Sequence, residues 1–159
     1  MKKSIIFTSV SENTKKLAEV IKAEVGEISY FGKPSEEALD ADIIVLGSWV
    51  TGNSFSPDLK EFLPKINGKK VFLFMTAGYG NSKEFFDPII GSFKDALSAN
   101  NEIIGEFICQ GKVTEAKQEA IKKMDMNKYL GMKEQLDNSQ SHPDASDIEN
   151  LVKAIEVLK

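Results

Sequence analysis

One cysteine, Cys109, is too few for an internal disulfide or a thiolate metal cluster, and one histidine, His142, is too few for the usual multi-ligand metal site. No apolar run approaches the length of a membrane span, and the short one in MKKSIIFTSVSEN is not that of a signal peptide, so a cytoplasmic address is expected. A strong charge of one sign is missing too. The net charge is −4 and the basic residues are dispersed, which argues against a nucleic-acid backbone as partner. Neither G-x-x-x-x-G-K-[ST] nor G-x-G-x-x-G occurs, leaving P-loop nucleotide hydrolysis and dinucleotide binding without their fingerprints. No internal repeat is evident.

What is present is 159 residues, 42% hydrophobic and 28% charged, enough for one domain spanning 1–159 with a single substantial core. Apolar β-prone runs alternate with helical patterns. SIIF, EISYF, IIVLGSW, KKVFLFMTA and NEIIGEFICQ read as five strands, with Gly105 a bulge or a point of close approach. Asn13 to Val25 puts Leu17, Val20, Ile21 and Val25 on one helical face, and Gly26 ends it. Ser56 and Pro57 supply a cap and a first-turn proline for a helix over DLKEFLPKI. Asn81 and Glu84 have capping-box spacing before FFDPIIGSFKDALSA, in which Pro88 and Gly91 are expected to kink or delay the helix. DIENLVKAIEVL closes the chain as a last helix. Strands this apolar need cover on both faces, which predicts an α/β parallel sheet of order 2-1-3-4-5 between two helical layers. Ligands of such sheets bind beyond the carboxyl ends of the strands, where the loops at 8–14, 48–56 and 76–82 meet.

The first of these loops is unusual. TSVSENT carries Thr8, Ser9, Ser11, Asn13 and Thr14 at the entry to a helix, more hydroxyl and amide groups than one cap needs. A helix N-terminus presents free N–H groups and the positive end of its dipole, and hydroxyls add donors that can follow a tetrahedral anion. A phosphate site is the expectation, with plain capping as the alternative.

Ser9-Val10-Ser11-Glu12-Asn13-Thr14 resembles the flavodoxin family's S/T-x-T-G-N-T loop, which binds the phosphate of FMN. The resemblance implies Ser9, Ser11, Asn13 and Thr14 as phosphate donors, with Thr8, Val10 and Glu12 alongside. Glu12 departs from the family glycine, and repulsion from a phosphate should turn its side chain to solvent. Gly47-Ser48-Trp49-Val50-Thr51-Gly52-Asn53 is similar to the family's second loop, in which a glycine peptide turns over when the flavin is reduced; Gly52 matches that glycine. Ser48, Val50, Thr51 and Asn53 flank it, and Trp49 is either a flavin contact or core beneath the site. Thr76-Ala77-Gly78-Tyr79-Gly80-Asn81-Ser82 resembles S-Y-G-W-G-D-G, which implies that Tyr79 stacks on the outer flavin face while Thr76, Ala77, Gly78 and Gly80 offer backbone contacts. The architecture implied is a flavodoxin-like three-layer sandwich. A receiver domain shares that topology, but IIFTSV lacks the carboxylates that would hold Mg²⁺.

With no base or nucleophile around the ring, the implied role is a monomeric FMN electron carrier serving a reductase and an acceptor, with Glu12, Asp58 and Asp87 expected to lower its potential. Two other readings stay open: a flavin-dependent NAD(P)H:quinone or FMN reductase, and a flavodoxin-like binding domain without FMN. Cys109 reads as a core thiol, and His142 before Pro143 as local capping. Residues 112–142, rich in Lys, Glu, Gln and Met, read as a helical insertion of one or two short helices anchored by Ile121, Met124, Tyr129 and Leu130. It is either a solvated addition or a docking face for a redox partner. The GSW segment, Cys109-x-Gly111-Lys112 and His142-Pro143 are also similar to a bacterial flavodoxin branch that includes the partner subunit of bilirubin reductase.

Overall fold

A computed structural model describes residues 1–51, 54–78 and 82–159. Five parallel strands run β2-β1-β3-β4-β5: β1 (Lys3–Phe7), β2 (Tyr30–Gly32), β3 (Ile43–Trp49), β4 (Lys70–Ala77) and β5 (Glu102–Gln110). The expected order is the observed one. Because β3 and β4 are central, every residue from Val71 to Ala77 is buried and side chains of both strand faces enter a core. One layer gathers Ile6, Leu46 and Leu73 against Leu63, Ile89 and Phe93; the other gathers Ile5, Val45 and Phe74 against Leu17, Ile21 and Leu151.

Helix α1 (Asn13–Val25) buries Thr14, Leu17, Ala18 and Ile21, and Gly26 at φ 90° terminates it by donating its N–H to the Lys22 carbonyl. Gly105 does what a strand glycine is expected to do. The β4–β5 register steps from Val71 opposite Ile103 to Phe72 opposite Gly105, so Ile104 is the extra residue of a bulge, and a Cβ on Gly105 would stand 2.9 Å from the Phe72 ring.

Three local expectations need correction. The segment after Ser56 forms only two short 3-10 turns, Pro57–Leu59 and Leu63–Lys65, not a continuous helix. Pro64 has no N–H to donate back to the Lys60 carbonyl, so a continuous α-helix through this segment would lose a bond. Ser56 makes no cap there; its hydroxyl is spent on Thr8 instead, at 2.7 Å. Helix α2 (Lys83–Ala96) runs through Pro88 and Gly91, and its cap is Ser82, whose hydroxyl accepts from the Phe85 N–H; Asn81 lies outside the described residues.

After β5 the chain forms α3 (Glu115–Met124), α4 (Met126–Ser139) and α5 (Ala145–Ala154), the last continuing as a 3-10 turn to Leu158. Helix α5 covers the sheet through Leu151, as a closing helix should. Of the expected anchors of the insertion, Ile121 and Tyr129 are half-buried, but Met124 is 87% exposed and Leu130 58%. Val113, Leu136 and Ser139 hold the segment instead.

Candidate functional site

The carboxyl ends of β1, β3 and β4 bring the three loops together, and each expected residue has a definite place or lies outside the description. From Ser9 to Thr14 the backbone N–H groups have no hydrogen-bond partner among the described residues; the chain resumes pairing at Lys15, whose N–H reaches Ser9 Oγ at 3.4 Å, and at Lys16, whose N–H reaches the Glu12 carbonyl at 3.0 Å. Six donors without a partner among the described residues at the positive end of a thirteen-residue helix are an arrangement that suits an anion. Glu12 takes φ 67°, left-handed backbone that glycine adopts without cost, and its side chain is 77% exposed and 3.8 Å from Lys15 Nζ. The carboxylate does point outward. The conformation also gives a physical reason for the glycine that the family motif carries there.

The loop's side chains divide. Thr8 Oγ1 is tied to Ser56 Oγ, and Thr14 Oγ1 to Thr76 Oγ1 at 3.0 Å, all four residues being buried. Those hydroxyls brace the loops against one another. Asn13 donates through Nδ2 to Ser11 Oγ at 2.7 Å and to the Lys112 carbonyl at 2.8 Å, which leaves the Ser11 hydroxyl hydrogen free to face a ligand. Gly111 makes this possible: a Cβ there would fall 2.6 Å from Asn13 Nδ2.

In the second loop, Ser48 is fully buried; its hydroxyl donates to the Trp49 carbonyl at 2.6 Å and accepts the Ser56 N–H at 2.9 Å. It positions the loop from beneath. Thr51 and Ser54 pair antiparallel through two 3.0 Å backbone bonds, and Gly52 and Asn53 lie outside the described residues. So do Tyr79 and Gly80 of the third loop. Gly78 is described, with Val113 Cγ2 3.1 Å from where its Cβ would be.

Between the loops opens a crevice of about 340 Å³, lined by Val10, Ser11, Asn13, Trp49, Thr76 and Gly78, and by Lys112 to Thr114 and Lys117 from the segment after β5. Val50, Thr51 and Ala77 floor it and continue into an adjoining space of about 280 Å³ beneath α3 and α4, which Phe85, Ile121 and Met132 help to enclose. This size and mixed lining suit a small organic ligand. Trp49 Nε1 is buried and has no hydrogen-bond partner among the described residues. An apolar trough, an orphan indole N–H and a row of free amides fit a flat ligand with a phosphate at one end. The insertion's contribution was not legible beforehand; Lys112, Val113, Thr114 and Lys117 sit beyond the family motifs, and only Gly111 at the strand end hinted at a close approach.

The carboxylates expected near the ring are elsewhere. Glu12 and Asp58 border a separate depression beside Ser9 and Lys33, and Asp87 pairs with Lys83 at 2.6 Å. No Asp or Glu is among the described residues that line either space.

Cys109 is buried, and desolvation first, then the carboxylates of Asp147 and Asp144, push its thiol far up. It is an inert core sulfur. His142, Asp144 and Asp147 lie within 4.8 Å of one another. Their polar atoms are engaged in a capping box for α5: Asp144 Oδ1 accepts the Asp147 N–H at 2.9 Å, and Asp147 Oδ2 accepts the Asp144 N–H at 2.9 Å and meets His142 Nδ1 at 2.6 Å. The His142 carbonyl accepts from the Lys112 N–H at 2.9 Å, so local structure accounts for this histidine.

Comparison with known proteins identifies the family. Residues 4–156 match the family described as Flavodoxin domain. The chain is 34% identical over 162 residues to the flavodoxin-like domain-containing protein BilS of Clostridioides difficile (strain CD3), covering 93% of this chain and 90% of that protein. It is 30% identical over 132 residues to a flavodoxin of Clostridium beijerinckii, covering 74% and 92% respectively. In fold it is similar to oxidised Flavodoxin 2 from Bacillus cereus, with a TM-score of 0.63 at 21% identity over 96% of this chain and 94% of that one. With the parallel sheet and a family match over nearly its whole length, the chain belongs to the flavodoxin family.

Proposed function

We propose that this flavodoxin holds FMN in the crevice between Trp49 and the third loop and passes single electrons from a reductase to an acceptor protein. An FMN-binding electron carrier is the role of the family to which the chain belongs, and the observation that carries the reading here is the run of N–H groups from Ser9 to Thr14 without a partner among the described residues, in a loop whose Val10, Ser11 and Asn13 line the crevice. When bound, the flavin supplies the one-electron chemistry. The protein supplies grip and field.

In this reading Ser9, Ser11 and Asn13 join the loop amides at the phosphate. Thr8 and Thr14 hold the loop in shape through Ser56 and Thr76. Trp49 covers one ring face and excludes water. Tyr79, Gly80, Gly52 and Asn53 complete the enclosure as the family resemblance implies, and Val50, Thr51, Ala77 and Gly78 border the ring. The sequence likeness to the branch that partners bilirubin reductase makes such an enzyme the acceptor to test first, in the cytoplasm.

Purified protein should be yellow or turn so with FMN, quenching its fluorescence at micromolar concentration, and should oxidise NAD(P)H negligibly unaided. Colourless protein that ignores added FMN would end the proposal. The adjoining space beneath α3 and α4 favours one other reading, a flavin-dependent reductase taking NAD(P)H and a quinone directly, and sustained NAD(P)H oxidation by the protein alone would select it.

A further inference from the structure

The charge around the crevice is one-sided in a protein whose net charge is −4. Lys112 and Lys117 line the crevice, and Lys117 and Lys128 line the space that continues from it. None of the three forms an ion pair with a described residue, whereas Lys15, Lys83 and Lys133 each do. All three come from the segment after β5, not from the three flavin loops.

The first of them are held in place. Thr114 caps α3 by accepting the Lys117 N–H at 3.2 Å. Val113 is buried, donates its N–H to Ser139 Oγ at 3.2 Å, and accepts at its carbonyl from the side-chain amides of Gln118 and Gln140, both at 3.1 Å. The first turn of α3 is therefore fixed against the rim of the crevice, and the Lys117 backbone with it.

A flavin changes charge unevenly as it is reduced. The first electron arrives with a proton and leaves the ring's charge unchanged; the second, drawn from an external reductant, arrives alone and leaves one negative charge. Lys112, Lys117 and Lys128 are exposed, so a cation bordering the ring acts partly through solvent; it still favours the second step and is nearly silent in the first.

We propose that Lys112, Lys117 and Lys128 form a cationic wall, contributed by the α3–α4 insertion, that stabilises the fully reduced anionic cofactor and raises the potential of the second electron. The inference rests on the FMN reading above. The insertion is then a device that sets how strongly the carrier reduces its acceptor.

The test compares the FMN-loaded protein with K117Q/K128Q, with K117R/K128R and with K153Q, which alters a lysine paired with Glu149 on α5. FMN affinity is measured first by fluorescence; a wild-type protein that binds no FMN overturns both the functional reading and this inference, whereas binding separates them. Stepwise reduction with dithionite and mediator dyes then gives the two one-electron equilibria at low and high salt. The expected result is about a tenfold loss in the equilibrium constant of the second electron in K117Q/K128Q, about 59 mV, with little change in the first. The arginine pair and K153Q should match wild type, and high salt should shrink the difference. Equal displacement of both couples, no displacement, or the same displacement in the arginine pair would overturn the proposal. Should the double glutamine variant not fold, K117Q alone carries the comparison, with about a threefold loss expected.

Discussion

Replacing Glu12 separates two effects that one side chain combines. Its backbone is left-handed at φ 67°, which costs an L-residue about 1–2 kcal/mol relative to glycine, while glycine gives back about 0.5–1 kcal/mol in unfolded-chain entropy. Glu12→Gly should therefore stabilise the protein by about 0.5–1 kcal/mol, or roughly 2 °C in Tm for a chain of this length. Glu12→Gln keeps the strain and should leave Tm almost unchanged. The charge acts on the ligand instead. For a carboxylate about 8 Å from a phosphate dianion in a water-like dielectric, appropriate to a side chain 77% exposed, repulsion is about 1 kcal/mol unscreened, about 0.8 at 0.01 M salt and about 0.4 at 0.15 M. Both variants should bind FMN about fourfold more tightly at low salt and about twofold more tightly at physiological salt, read by fluorescence quenching. An E12Q protein whose affinity stays at the wild-type value at low salt would refute the electrostatic argument, and an E12G protein no more stable than E12Q would refute the backbone argument.

Four other outcomes follow from the same structure. Ser56→Ala leaves Thr8 Oγ1 buried without its partner, a loss of about 1–3 kcal/mol measurable by urea denaturation. Gly47→Ala would drive a Cβ into the buried ring of Phe74, destabilising by about 1–3 kcal/mol or more, whereas Ala at Gly91, where a Cβ would meet open space, should be tolerated. The Asp144 carboxyl is held below the usual carboxylate range, first by the Asp147 N–H it accepts, so its contribution is complete above the ordinary carboxylate pKa of about 3.9 and is lost as pH falls through the lowered value; Asp144→Ala should lower Tm at neutral pH and flatten its decline in acid. Cys109 should resist a disulfide reagent in the native protein at pH 8 and react fully in denaturant, because burial keeps its thiol protonated.

The elements legible in the sequence are those whose signal is local and dense. IIVLGSW and KKVFLFMTA announce buried parallel strands because they are apolar throughout, and Gly105 announces a bulge because a strand interior has no other use for it. DLKEFLPKI misleads because its apolar spacing outweighs, on paper, a proline that decides the matter in three dimensions. The cap at Ser82 in place of Asn81 is a one-residue ambiguity between two good caps. Of the candidate site, the three loops could be read from motif. The braces between them could not, since Thr8 and Ser56 are 48 residues apart and Thr14 and Thr76 are 62 apart. Likewise, nothing in KVTEAK marks Lys112 and Lys117 as lining the same crevice as Trp49; the fold brings them there.

That insertion is attached in an uneven way. Helix α3 buries no residue and α4 buries only Leu136 and Ser139, both close to the point where the chain returns to α5. A paired helical arm moored at its base can be rewritten along its outer length, around Met124 and Leu130, at no expense to the sheet. Substitutions along that outer length are therefore uncoupled from the packing that holds the crevice together.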